Sequence, residues 1–268
     1  VSAAAYRARS ATELIDATFQ LLRRNFAQFY TLAALLWVPL AIIPRLVVPN
    51  LQPGAPVDAS ALGTSFFISF AVVFLLFIIL SAIFQTAMFY ASSDAYLGRA
   101  VDTADVLRRG VRRAGTMAYG YFAQSLCVGF AFLLVIIPGI YVGLALFAVP
   151  CVIAIEKVGV STALSRSWEL SKGLKGHICV TVFLAGVIYG VGALIVGFVA
   201  NLVAGGLGHV TVLSETVSAL GTSLLVPVPP LALTLLYYDA RIRKEGFDIE
   251  LMAQQVGGSG ATANPQPA

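Results

Sequence analysis

The stretch AGTMAYGYFAQSLCVGFAFLLVIIPGIYVGLALFAVPCVIAI, residues 114–155, contains no Asp, Glu, Lys or Arg. A helix crossing a bilayer takes about 20 predominantly apolar residues, so this run is long enough to cross twice. Pro138-Gly139 stands near its middle, and that dipeptide is strong turn punctuation. The stretch therefore predicts two antiparallel spans with a tight turn at Pro138 and Gly139.

The rest of the chain suits the same medium. Its 268 residues are 59% hydrophobic and only 11% charged, and the mean hydropathy is +0.88. A soluble domain carries about a quarter charged residues, and less than half that share cannot cover a water-facing surface. The predicted class is all-α: a polytopic membrane helical bundle of about six transmembrane helices. The spans fall at roughly 27–48, 65–92, 117–137, 140–155, 178–202 and 217–238. They form a single integral membrane domain over 1–252, and the Gly-, Pro- and polar-rich residues 253–268 predict a disordered tail. The fourth span is short, and the second is long enough to tilt. Failure of the Pro-rich sixth run to cross would leave five.

Basic residues orient the bundle. Sixteen of the seventeen Lys and Arg residues fall on one side of a six-span chain, and only Arg45 falls on the other. Positive charge is retained in the cytoplasm, which places both ends of this membrane domain inside. The charged amphipathic stretch before the first apolar run, with no small-residue cleavage pattern after a short apolar core, argues against a cleavable signal peptide. The basic pI of about 9.1 follows from the inner-face bias, so no nucleic acid partner is needed to explain it.

The cytoplasmic segments share a theme. Ser10 and Glu13 form a capping-box pattern ahead of LIDATFQLLRRNF, with Ile15, Phe19, Leu22 and Phe26 on one face. VDTADVLRRGVRRAG places Leu107, Val111 and Ala114 together, with Arg108 over Arg112 and Arg109 over Arg113 at i,i+4 on the other side. VSTALSRSWELSKG groups Val160, Leu164, Trp168 and Ser171, with Arg166, Glu169 and Lys172 facing away and able to pair at i,i+3. Each reads as an interfacial amphipathic helix, its apolar face in the headgroup boundary and its cations toward phosphates. An acid closes the matching spans: Asp94, Glu156 and Asp239. Amphipathic helix, span, outer turn, span and acid thus form a two-span unit that recurs three times. A plainer account is that short cytoplasmic loops are generally basic and amphipathic. The acids are expected to pair with neighbouring Arg and Lys.

Catalytic and metal-binding patterns are missing. His177 and His209 have no partner at metal-ligand spacing, and Cys127, Cys151 and Cys179 sit in apolar segments as small hydrophobes. The sequence has no GxGxxG, no GxxxxGK[ST] and no GxSxG. No cofactor is expected. The span centres hold no ionisable residue of the kind that proton-coupled carriers place at mid-membrane depth. Two irregularities stand out. Pro227, Pro229 and Pro230 remove backbone donors and predict a kinked or late-starting sixth span. Gly186 and Gly190 form a GxxxG pair that permits close helix contact.

Two segments carry a family resemblance: PGIYVGLALFAVPCVIAIEKVGVSTALSRSWELSKGLKGH in the middle and VPVPPLALTLLYYDARIRKEGFDIELMA near the C-terminus. Both resemble the membrane domain attached to some bacterial glycerophosphoryl diester phosphodiesterases and its stand-alone multi-pass relatives of unknown function. The resemblance implies a six-span, cytoplasm-in domain of a bacterial inner membrane and implies little about activity. No soluble phosphodiesterase domain lies within these residues, so that activity is not carried over. The expected function is that of a non-catalytic membrane protein organising lipid, chiefly anionic headgroups, or docking a partner protein. The surface would comprise Arg108, Arg109, Arg112, Arg113, Arg166, Trp168, Glu169, Lys172, Arg241, Arg243 and Lys244. The alternatives are a transporter or permease subunit with a cavity near the broken sixth span, and, less favoured, an intramembrane lipid-modifying enzyme.

Overall fold

Ser10 opens the first helix by reciprocal capping. Its hydroxyl accepts the Glu13 N–H at 3.3 Å, and the Glu13 carboxylate accepts the Ser10 N–H at 2.8 Å. Helix α1 (Ala11–Arg24) follows, with Arg23 and Arg24 at the negative end of its dipole. The computed structural model describes residues 7–47, 64–206, 212–247 and 249. The expected tail at 253–268, His209 and the side chain of Arg45 lie outside that description.

Every described element is helical. After α1 come α2 (Phe26–Val47), α3 (Thr64–Tyr96), α4 (Thr103–Leu134), α5 (Ile136–Ala145) and α6 (Val149–Cys151). A π-helical turn (Val152–Glu156) precedes α7 (Val160–Ser171), α8 (Lys175–Gly206), α9 (Val212–Thr222) and α10 (Val228–Glu245). Four stretches are long and apolar enough to cross a membrane: Phe66–Tyr96, Thr103–Leu134, Ile136–Glu156 and Lys175–Ala200. Phe26–Leu40 is a shorter apolar helix.

The turn between the expected third and fourth spans is not at Pro138-Gly139. Val135 takes the extended conformation, φ −163° and ψ 151°, and caps both helices. Pro138 then sits in the first turn of α5, where a missing N–H leaves no hydrogen bond unmade. Gly139 is buried because a Cβ there would strike the Phe132 ring across the hairpin. The fourth stretch is interrupted between Ala145 and Val149, and the expected sixth span divides into α9 and α10 across 223–227. Pro229 and Pro230 open α10, so the break falls just before them.

Apolar contact is distributed unevenly along the helices. In α3, Phe67 to Ile79 are largely exposed, while Phe84 to Ala91 are almost wholly buried. The outer parts of α4 and α8 are similarly bare, as at Leu133, Leu134, Leu194 and Phe198. These are the surfaces that suit contact with hydrocarbon. The packed core, with Phe29, Phe89, Met117, Ile153, Tyr237 and Tyr238, lies toward the end of the bundle where the charges collect. Helix α10 is buried on nearly every side and packs against α1, α3 and α8. Gly110 brings α4 close to α3: a Cβ there would lie 3.0 Å from Ala87 Cβ and 3.1 Å from the Ile83 carbonyl oxygen.

The amphipathic segments differ from expectation in what covers them. The α1 face containing Leu14, Ile15, Ala17 and Leu22 is buried against α10 and α8, that is, by protein. The Arg108–Arg113 segment is continuous with the following span, so it is no separate surface helix. Its buried positions are Val106 and Gly110, one residue out of step with Leu107 and Val111. In α7 the buried face is Val160, Ala163, Ser167 and Leu170, and Trp168 is exposed. Helical periodicity fixed a stripe in each case, but the neighbouring helix selected which edge of it to bury.

Candidate functional site

The three acids expected to close spans all meet arginines at the charged end. Asp94, at the end of α3, holds Arg109 of α4 at 2.5 Å and lies 3.8 Å from Arg99. Arg109 also pairs with Asp105 at 2.9 Å and lies over the Tyr90 ring, 4.9 Å from its centroid. Glu156, at the close of the π turn, accepts from Arg166 Nε at 3.3 Å and from the Tyr237 hydroxyl at 2.7 Å. Arg166 reaches on to Glu245 at 2.5 Å, and Glu245 is also held by Arg241 at 3.0 Å. The expected i,i+3 pairing of Glu169 with Arg166 and Lys172 gives way, for Arg166, to these longer-range partners. Burial works against the charge on Arg166, but Glu245 and Glu156 outweigh it and raise its pKa. For Glu245, burial would raise the carboxyl pKa, and the hydrogen bonds from Arg166 and Arg241 turn the net shift downward.

Asp239 forms a clamp. Its Oδ1 accepts the Arg9 backbone N–H at 2.7 Å, and its Oδ2 accepts from Arg243 Nε at 2.7 Å. Arg243 donates in turn to the Arg9 carbonyl at 2.7 Å, so α10 grips both polar groups of that one residue. His177 Nε2 stands 3.1 Å from Asp239 Oδ2, within ion-pair reach but outside hydrogen-bond geometry. Arg9, Ser93 and His177 were not among the expected site residues; their sequence signal is only that each is polar beside an apolar run. Ser93 shares a 2.7 Å hydrogen bond with the Tyr238 hydroxyl.

The SRSW motif has a local structural role. Ser167 Oγ donates to the Ala145 carbonyl at 2.9 Å and accepts the Ala148 N–H at 3.0 Å, closing the interruption after α5. Gln124 of α4 donates to the Leu146 carbonyl at 3.1 Å. Backbone groups freed by an interruption need such partners in a lipid setting. Trp168 meets Tyr141 edge-on at 6.0 Å, and Lys175 Nζ lies 4.2 Å from the centroid of the Tyr141 ring. Arg113 donates to the Lys157 carbonyl at 2.7 Å. Arg108, Arg112, Glu169, Lys172 and Lys244 remain exposed, with no ion pair among the described residues.

A cavity of about 400 Å³ lies beside the α9–α10 break. Val226, Pro229 and Pro230 form its floor at the break. Phe84 and Phe89 of α3, and Leu233 and Leu236 of α10, supply apolar wall. Trp37, Gln85, Tyr121 and Tyr189, which carry polar groups, also line it from α2, α3, α4 and α8. Gly186 also lines it and, like Gly190, has no other atom within 4 Å of where a Cβ would sit. The GxxxG pair therefore makes no close helix contact among the described residues.

Among the described residues no group of three or more His, Cys, Asp or Glu is placed to hold a metal ion. No protein-family model, no curated protein and no solved structure matches the chain.

Proposed function

We propose that the chain is a non-catalytic, multi-pass protein of a bacterial cytoplasmic membrane that engages anionic lipid at its cytoplasmic face, with a docked partner protein as the other occupant of that face. In this reading both ends of the domain are cytoplasmic and six spans arise from three two-span units. α2 and the α9–α10 pair supply the two crossings beyond the four long apolar stretches. The resemblance of PGIY, SRSWELSKG and YYDARIRKEG to the phosphodiesterase-linked membrane domain belongs to the same reading.

The observation that carries the proposal is how charge is allocated at that end. Asp94, Glu156, Asp239 and Glu245 are committed to Arg109, Arg166, Arg241 and Arg243. Arg108, Arg112, Lys172 and Lys244 are left exposed, with no acidic partner among the described residues. Each such cation near an anionic surface contributes about 1 kcal/mol of attraction. The paired arginines then hold the bundle together, and the unpaired cations face headgroups.

The test is native mass spectrometry of the wild-type chain and an Arg108→Gln, Arg112→Gln, Lys172→Gln, Lys244→Gln variant after mild-detergent extraction. Retained phosphatidylglycerol or cardiolipin should fall in the variant. Unchanged retention rejects the lipid reading, and loss of a co-purifying protein in place of lipid supports the partner. A transporter or permease subunit is the second reading, and the cavity beside the broken sixth span favours it. Its mainly aromatic and aliphatic lining counts against a water-soluble cargo.

A further inference from the structure

We infer that the cavity beside the α9–α10 break binds an uncharged lipid that combines hydrocarbon chains with a free hydroxyl group, entering sideways from the bilayer past Gly186. This goes beyond the basic face proposed above and requires only that the helices stand in a membrane.

Position comes first. Gln85 lies about 14 Å along α3 from Asp94, and Tyr189 about 18 Å along α8 from His177, at ~1.5 Å per residue. Leu236 is one turn of α10 from the Asp239 clamp. The cavity thus extends inward from the charged end through the adjoining half of an approximately 30 Å hydrocarbon layer. Its volume of about 400 Å³ is within the range of small-molecule sites.

The lining then selects chemistry. Among the described residues it contains no Asp, Glu, Lys, Arg or His, so a charged headgroup or ionic solute would meet no counter-charge from them at a depth where an unpaired ion is costly. Four of the lining residues nevertheless carry polar groups: the Trp37 indole N–H, the Gln85 amide, and the Tyr121 and Tyr189 hydroxyls. None makes a hydrogen bond to protein among the described residues. Thr181, which also lines the cavity, is by contrast satisfied by the His177 carbonyl at 2.9 Å. The Val226 carbonyl adds an acceptor, because the helical donor it would use is the N–H that Pro230 lacks. Unsatisfied groups of this kind are expensive in hydrocarbon. The set offers a donor-only indole, an acceptor-only carbonyl and three groups that do both. A hydroxyl, both donor and acceptor, complements it; a bare alkyl chain does not.

Access follows from α8. Val182 and Gly186 line the cavity from a helix whose neighbouring positions, Phe183 and Val187, are exposed. Gly186 leaves the side of the cavity open, with room for a Cβ, where a side chain as bulky as Phe would narrow it.

The test uses the full chain reconstituted in phosphatidylglycerol and phosphatidylethanolamine vesicles. These contain a trace of diacylglycerol bearing a diazirine on one acyl chain and an alkyne for detection. Irradiation should label peptides containing Phe84–Phe89 or Leu231–Leu236. Gly186→Phe should lower that labelling about tenfold, and Gln85→Leu with Tyr121→Phe should lower it by a similar factor. Gly190→Phe, one turn along α8 and not among the described lining residues, controls for the added bulk and should retain it. The Arg108, Arg112, Lys172 and Lys244 substitutions should also leave it unchanged, which separates this site from the headgroup surface. Equal labelling of wild type and Gly186→Phe overturns the inference. Equal labelling of the same peptides by a diazirine phosphatidylcholine overturns it too, because the cavity would then be an unselective acyl slot.

Discussion

Replacing Asp239 with alanine tests what holds the charged end together. The residue is 2% exposed, and its carboxylate serves the Arg9 N–H and Arg243 Nε, each at 2.7 Å. Removing one member of a buried ion pair costs about 3–5 kcal/mol, because the partner stays behind uncompensated. An orphaned buried N–H adds about 1–3 kcal/mol. Against this, the Arg243 side chain is 31% exposed and can recover water when its partner is lost, which reduces the first contribution toward the exposed-pair range. The expected net loss is about 3 kcal/mol. Asp239→Asn preserves an acceptor for Arg9 without the charge, and should lose about half as much. Reversible unfolding in mixed micelles with rising dodecyl sulfate, followed by tryptophan fluorescence, measures both. The Asp239→Ala, Arg243→Ala double-mutant cycle isolates the pair. A loss under about 1 kcal/mol for Asp239→Ala, the range of an exposed pair, together with additive single mutants, would refute the clamp as a stabilising element.

Two further outcomes follow from local geometry. Ser167→Ala strands the Ala145 carbonyl and the Ala148 N–H beside the α5 interruption, and should destabilise the bundle by about 2 kcal/mol, read as a lower Tm in the same micelles. The Glu13 carboxyl, held by the Ser10 N–H and then by Arg7, has its pKa lowered to about 2. The pKa of that carboxyl in an unfolded chain is near 4.3, so its contribution to α1 is complete above that pH and disappears as pH falls through about 2. Amide protection in α1 should decline over that window in wild type and be flatter in Glu13→Gln.

The broad architecture was legible because apolar runs and charge clusters are direct consequences of insertion into lipid. Long helices stand at Thr64–Tyr96, Thr103–Leu134 and Lys175–Gly206 where the runs indicated, and the acids at 94, 156 and 239 mark the ends of runs. Burial was not legible, since hydrocarbon and protein interior favour the same residues. Phe67–Ile79 is the more apolar stretch, yet it is bare, while Phe84–Ala91, which carries Gln85 and Thr86, is enclosed. The same ambiguity assigned the α1 stripe to headgroups when α10 and α8 cover it. Proline identified the sixth run as broken, but the break after Ala145 follows from Ser167 and Gln124 offering partners, and no local pattern announces that. The lining of the cavity was hidden for another reason. Trp37, Gln85, Tyr121 and Tyr189 come from four helices, and only the fold brings them together.

The grip of Asp239 and Arg243 on Arg9 joins residues more than two hundred positions apart, and it has a consequence for biogenesis. During synthesis α1 emerges long before the helix that seats it. A ribosome that stalls before Val228 would leave Leu14, Ile15 and Leu22 without much of their cover, a greasy handle for quality-control proteases. Completion of α10 hides that handle, so α1 gains its full cover only after all the intervening helices have been made.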